Sequence, residues 1–255
     1  MLFDTHAHMN DPVFDTDREQ VLLGLKDKGV ALVMNPGCSL ENSRQAVELA
    51  RTYDFMYAAV GTHPDTADEV NEAVLDEYRM LCKQCDKVKA IGEIGVDYYY
   101  ETVPRQIQLQ AFRMQMELAR EVQLPVIIHE RNAHDDGMRM VQEFKDVTGV
   151  FHCYSGSAEM ARQLVKMGWY IGFTGVLTFK NARKAVETAQ QIPLERIVLE
   201  TDCPFMAPEP FRGKRNDPGY LYRMAEKLAE IRGLPVEEIQ RITTENGKKL
   251  YRIAD

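Results

Sequence analysis

The sequence predicts a closed barrel of eight parallel strands alternating with helices, a single α/β domain of the (β/α)8, TIM-type class. Three observations lead there. The chain has 255 residues, close to the length of about 250 that one such barrel requires. Eight short apolar runs alternate with stretches of helical periodicity, the pattern of repeated βα units and a parallel sheet. Five of the six histidines, with one Glu and one Asp, fall at the C-terminal ends of those runs. A parallel barrel gathers these ends on the face where its active site lies.

The strand-like runs lie at about residues 2–6, 31–35, 55–61, 88–92, 125–129, 149–152, 168–173 and 196–200. After the first, DREQVLLGLKDK (17–28) puts Val21, Leu22 and Leu25 on one stripe, and Gly29 supplies the stop. Ser39 is placed to cap a helix over 40–52. Pro104 stands at the start of a helix over 104–122. Further helices are expected at about 136–147, 157–167, 180–191 and 217–232, with a last pair near 235–254. A doubly wound sheet is the rival fold, but no GxGxxG or GxxxxGK[ST] follows any run. There is no linker, low-complexity tract or strong repeat, so residues 1–255 read as one domain.

Net charge is −8, from 31 Lys and Arg against 39 Asp and Glu. This argues against a broad basic face that would coat a duplex, but leaves room for a local pocket holding one phosphate. No apolar run approaches the roughly 20 residues of a membrane span. A strand starts almost at once, with Asp4 inside it, so no signal peptide is expected. Five scattered cysteines do not form a disulfide framework. The expected setting is cytoplasmic, with no membrane and no obligate protein partner.

The strand-end groups suit divalent metal. His6 and His8 are two apart, so in a strand both side chains point to one face. Glu93 ends the fourth run between Gly92 and Gly95, which allow a tight turn, and a carboxylate can bridge two cations. His129, His152 and Asp202 end the fifth, sixth and eighth runs. Any one of these alone is more often a cap or a hydrogen-bonded turn residue. Six at matching strand ends, His6, His8, Glu93, His129, His152 and Asp202, point to metal ligation.

The chain resembles the TatD-like metal-dependent hydrolases of the amidohydrolase-type barrel superfamily. THAHMND, GTHPD, AIGEIGVDYYY, Q-x-x-x-F, PVIIHER, FHCYSG, YIGFTG, LETDCPFMAP and RGKRNDP occur in that family's order, from Asp4 to TTENGKKLY. The resemblance implies two divalent ions, whether zinc, manganese or magnesium. His6, His8, Glu93 and Asp202 would hold one, and Glu93, His129 and His152 the other. It also implies a deoxyribonuclease or broader phosphoesterase activity, with nucleic acid ends or another phosphoester as substrate. The chain departs from the family after His129, where Glu130, Arg131, Asn132 and Ala133 replace a small or hydroxyl residue followed by Arg, Asp and Ala. That bears on substrate contacts rather than on the ligand.

Around the ligands, Asp202 is placed to accept the proton of an attacking water, or to serve as ligand only. With Glu93 and His63 it completes the candidate catalytic set. His63 could also bind a substrate phosphate, and the alternative is a structural histidine. Arg131 suits a phosphate oxygen or a surface ion pair. Arg212, Lys214 and Arg215 form a basic loop that could guide a polyanion or simply be solvated. Tyr98, Tyr99 and Tyr100 could stack a base or anchor a loop. Cys82 and Cys85 lack the second pair a zinc site needs, and Cys203 reads as packing. Three functions therefore compete: a metal-dependent phosphodiesterase or deoxyribonuclease, a small-molecule amidohydrolase such as a lactonase, and a metal-stabilised scaffold. Glu93 stands where many amidohydrolases carry a modified lysine, which favours the first.

Overall fold

Strand order follows sequence order. In the computed structural model, which describes residues 1–254, eight strands form one sheet ordered β1 to β8. They are β1 (Leu2–Asp4), β2 (Val30–Pro36), β3 (Met56–Val60), β4 (Val88–Asp97), β5 (Val126–Arg131), β6 (Gly149–Phe151), β7 (Tyr170–Phe173) and β8 (Ile197–Leu199). The helices between them are α1 (Arg18–Leu23), α2 (Leu40–Thr52), α3 (Glu72–Gln84), α4 (Arg105–Val122), α5 (His134–Glu143), α6 (Ala158–Lys166) and α7 (Arg183–Gln191). Two more, α8 (Leu221–Arg232) and α9 (Val236–Leu250), follow β8. This is the (β/α)8 architecture. No described helix is long and apolar enough to cross a membrane.

The chain forms two compact units interleaved in sequence. The first comprises Met1–Asn35, Cys153–Lys166 and the chain from Tyr170 onward. In it β7 pairs with β8 and β1 with β2, both parallel. The Thr5 amide and hydroxyl both donate to Leu199 O, at 3.2 and 3.0 Å, so the end of β1 is joined to β8. Helix α9 lies against β1. The Tyr251 hydroxyl donates to Thr5 O at 2.9 Å, and a Cβ on Gly247 would fall 2.6 Å from the Phe3 ring. Only glycine permits that approach. α9 runs unbroken from Val236 to Leu250, where two helices were expected, with Gly247 in its last turn against Phe3.

The second unit, Pro36–His152 with Met167–Trp169, carries β3 to β6 in consecutive parallel pairs. Ser39 caps α2 by accepting from the Asn42 amide. Helix α4 fixes two strand ends through two buried glutamines seven residues apart, hence on one helix face. Gln115 accepts from the Thr62 amide (2.7 Å) and donates to Thr62 O (3.0 Å). Gln108 does the same at Asp97, at 2.8 and 3.0 Å. Each amide side chain replaces a missing strand neighbour and immobilises the backbone just where functional residues emerge.

Three elements depart from expectation. Helix α1 stops at Gly24 rather than Gly29, because glycine is a poor helix former and the residues to Gly29 take turn conformations. β1 ends at Asp4, so His6 and His8 follow the strand. β4 does not turn at Gly92 and Gly95 but continues to Asp97 through a register shift between Ile91 and Ile94. A bulge of this kind re-aims a side chain, and Glu93 sits inside it.

Candidate metal centre

In the first unit, the segment after β1 is held by backbone hydrogen bonds to its neighbours. The Ala7 amide donates to Met34 O (3.0 Å) and the His8 amide to Cys203 O (2.9 Å), while the Asp202 amide donates to His6 O (2.9 Å). His6 Nε2 and His8 Nε2 are thereby brought to 3.0 Å. Asp202 Oδ1 lies 3.6 Å from the first and 3.4 Å from the second. Asp202 has φ 55°, a left-handed conformation that Asp tolerates better than most residues. Beneath this triad Asp4 is fully buried, and burial pushes its carboxyl up to about 8. Hydrogen bonds from the Thr201 hydroxyl (2.5 Å), the Thr201 amide (2.9 Å) and the His6 amide (3.3 Å) oppose that rise only in part.

In the second unit, Glu93 Oε1 lies 2.7 Å from His152 Nε2 and 2.9 Å from His129 Nδ1. The two ring nitrogens are 3.2 Å apart. His63 Nε2 stands 3.8 Å from the same oxygen, and its ring meets that of His129 edge-on at 4.4 Å. His129 Nε2 is turned the other way, 3.0 Å from Asp97 Oδ2. Burial opposes a charge on His129, but the Asp97 and Glu93 carboxylates outweigh it and raise its pKa. Asp97 is likewise pushed up by burial. Hydrogen bonds from His129 and from the Tyr100 and Tyr99 amides prevail and hold it at about 2.

Both clusters suit a divalent cation. Bonds of 2.0–2.2 Å to nitrogen and oxygen donors place the donors roughly 3.0–3.5 Å apart in a tetrahedral or octahedral shell. The first cluster spans 3.0–3.6 Å and the second 2.7–3.2 Å. Two imidazoles with a carboxylate are a common donor set for zinc or manganese. The carboxylate behind His129 is the outer partner that ligating histidines ordinarily have.

The remaining sequence-derived candidates lie in different surroundings. Arg131 is stacked on Tyr99 and Tyr100, with its guanidinium 3.9 and 4.9 Å from their ring centres. Arg212 lies over Phe179 at 4.2 Å, and Lys214 faces Phe211 at 6.0 Å. Arg215 is held by both oxygens of Asp17, at 2.8 and 2.6 Å, and covers the Phe14 ring. Cys203 is buried and its thiol is pushed well above the usual range by burial, so it forms no ready thiolate. Sequence reasoning passed over Asp4, Asp97 and Asp65, which shape the clusters from behind. Asp97 had a legible signal, since it lies inside GEIGVDYYY. Asp65 binds His63, its amide donating to His63 Nδ1 at 3.2 Å.

Strand-end histidines and carboxylates on a (β/α)8 sheet define a protein of the divalent-metal barrel class. The sequence model for TatD related DNase matches residues 3–252, and the chain belongs to that family of metal-dependent hydrolases. It is 46% identical to the uncharacterized metal-dependent hydrolase YabD of Bacillus subtilis (strain 168), over 99% of this chain and 100% of that one. The crystal structure of YjjV, a TatD homolog from Escherichia coli K12, superimposes with a TM-score of 0.93 at 31% identity, covering 99% of this chain and 98% of that one. A TatD family hydrolase from Entamoeba histolytica superimposes with a TM-score of 0.87 at 26% identity, over 98% and 97% of the two chains.

Proposed function

We propose that this protein hydrolyses phosphodiester bonds at exposed ends of DNA strands, using two divalent ions and an activated water. The observation that carries the reading is the His129 imidazole. Asp97 holds one of its nitrogens while the other converges with His152 on a single oxygen of Glu93. Family membership supplies the substrate class. His6, His8 and Asp202 would hold one ion, and Glu93, His129 and His152 the other. Two such ions lower the pKa of a water and stabilise the leaving oxygen of a phosphodiester.

The chain's own groups do the rest. Asp202 accepts the proton of the attacking water. His63 Nδ1 faces Asp65, whose amide lies 3.2 Å and whose carboxylate 3.4 Å from it, which leaves Nε2 turned toward Glu93. Nε2 is the ring atom placed to hydrogen-bond a phosphate oxygen or the leaving group. Arg212 and Lys214 add local positive charge on an acidic protein, which steers a polyanion, while the charge of Arg215 is matched by Asp17.

The test is to quantify metal per chain and follow degradation of labelled single-stranded DNA with and without Mg²⁺ or Mn²⁺, beside Glu93→Ala. Metal-dependent cleavage that disappears in the variant is the expected result. Bound metal with no cleavage of DNA or simple phosphodiesters, alongside turnover of lactones or amides, would overturn the reading in favour of a small-molecule amidohydrolase.

A further inference from the structure

We propose that Tyr99, Tyr100 and Arg131 form one platform that grips an unpaired nucleotide of a single strand beside the scissile bond. The inference rests on the phosphodiesterase reading and narrows its substrate to strands whose terminal bases are unstacked.

Two tyrosines side by side are unusual in being left open. Tyr99 and Tyr100 are 58% and 59% exposed, and their rings meet edge-on at 4.9 Å. Tyr98 serves as the anchor of the loop. Its hydroxyl donates to Asp136 at 2.6 Å, and Arg105 covers its ring at 4.3 Å. The loop is therefore held by one tyrosine while the next two present aromatic surface to solvent.

Arg131 is the second element. Nearby Arg105 and Arg139 are paired with Glu101 and Asp136. Among the described residues no carboxylate lies within ion-pair distance of Arg131, whose guanidinium lies 3.9 and 4.9 Å from the ring centres of Tyr99 and Tyr100. Contact with the two rings holds the guanidinium in place, and none of its N–H groups makes a side-chain hydrogen bond or ion pair among the described residues. A planar cation with unused donors suits a phosphate oxygen, and exposed rings beside it suit a base, whatever its identity.

Placement ties the platform to the cleavage chemistry. The Tyr99 and Tyr100 amides donate to Asp97 Oδ1 at 2.8 and 3.1 Å, and the other oxygen of that carboxylate holds His129. Arg131 lies two residues beyond His129 on β5 and pairs across to Asp97 in β4. One carboxylate thus sets both a metal-ligating imidazole and the stacking loop. Bases in a duplex are already stacked and paired, so the platform selects frayed or single-stranded ends.

The test measures binding of the purified protein to labelled oligothymidylate and to an abasic oligonucleotide of equal length, by fluorescence anisotropy. Base–aromatic stacking contributes roughly tenfold in affinity per base, so the wild type should favour the base-bearing strand by about that factor. Tyr99→Leu with Tyr100→Leu should reduce the preference to under about twofold, and Tyr99→Phe with Tyr100→Phe should restore it. Arg131→Met should weaken both strands and lower the salt dependence by about one phosphate contact. No base preference in the wild type, or a preference that survives the double Leu variant, overturns the proposal. Hydrolysis of bis(p-nitrophenyl) phosphate, which carries no base, reports the phosphodiesterase reading separately. Its absence alongside base-selective binding would sink that reading, and with it the platform's place beside a scissile bond, while leaving the three residues as a nucleotide-binding surface.

Discussion

Asp97 and His129 sit on adjacent strands, β4 and β5, joined by a single side-chain contact of 3.0 Å between Oδ2 and Nε2. The contact decides which ring nitrogen of His129 is available. With Nε2 engaged, Nδ1 is the atom that faces Glu93 and His152.

Weakening that link should loosen the metal. Outer partners of ligating histidines are worth about 10–100-fold in affinity. We expect Asp97→Asn to lower metal affinity by that factor in competition with a chromogenic chelator. An unchanged affinity would show that Asp97 serves only the tyrosine loop.

The same carboxylate makes acid stability predictable in sign. Its folded-state pKa, about 2, lies below the ordinary 3.8. Its contribution is therefore present above that ordinary value and is lost as pH falls from about 4 through 2. The shift corresponds to about 2 kcal/mol. Urea unfolding of metal-free protein at several pH values in that range should show the wild type losing about this much more than Asp97→Asn. Parallel losses in the two proteins would argue against the assignment.

Gly95 allows β4 to pass the His129 carbonyl. Its φ is 144°, and a Cβ there would lie 1.9 Å from His129 O. Gly95→Ala should destabilise the fold by about 2–4 kcal/mol. Gly29→Ala provides a control, because Gly29 also has positive φ (80°) but has nothing within 4 Å of its Cβ position. There we expect only the backbone cost, about 1 kcal/mol. Equal thermal-unfolding penalties at the two positions would contradict the steric account.

Arg215 and Arg131 should behave differently toward nucleic acid. The two Asp17 oxygens occupy the Arg215 guanidinium, so Arg215→Ala should leave the salt dependence of strand binding unchanged. Were Arg215 to neutralise a phosphate instead, its removal would lower the slope by about 1. Titrations across a range of salt concentrations distinguish the two outcomes.

The sequence by itself determined the architecture and singled out the histidines and carboxylates that the fold gathers into the two clusters. Every expected strand overlaps an observed one, because apolar runs of strand length between amphipathic helices admit few other arrangements. His6 and His8 were legible from their two-residue spacing, and Glu93, His129, His152 and Asp202 from their position after apolar runs. Ser39 and Pro104 marked helix starts through local chemistry that involves no distant residue.

Tertiary structure decided what depends on neighbours remote in sequence. The bulge carrying Glu93 through β4 arises from register against β5. The tolerance of Gly247 inside α9 comes from Phe3, at the other end of the chain. Gln108 and Gln115 read as ordinary polar helix positions until the fold sets them against the ends of β4 and β3. The basic loop looked uniform in sequence, yet Arg215 is committed to Asp17 while Arg131, on another strand, rests on two exposed rings. Residue type and spacing reveal which groups a chain can offer. Which of them remain available depends on the partners that folding brings within a few ångströms.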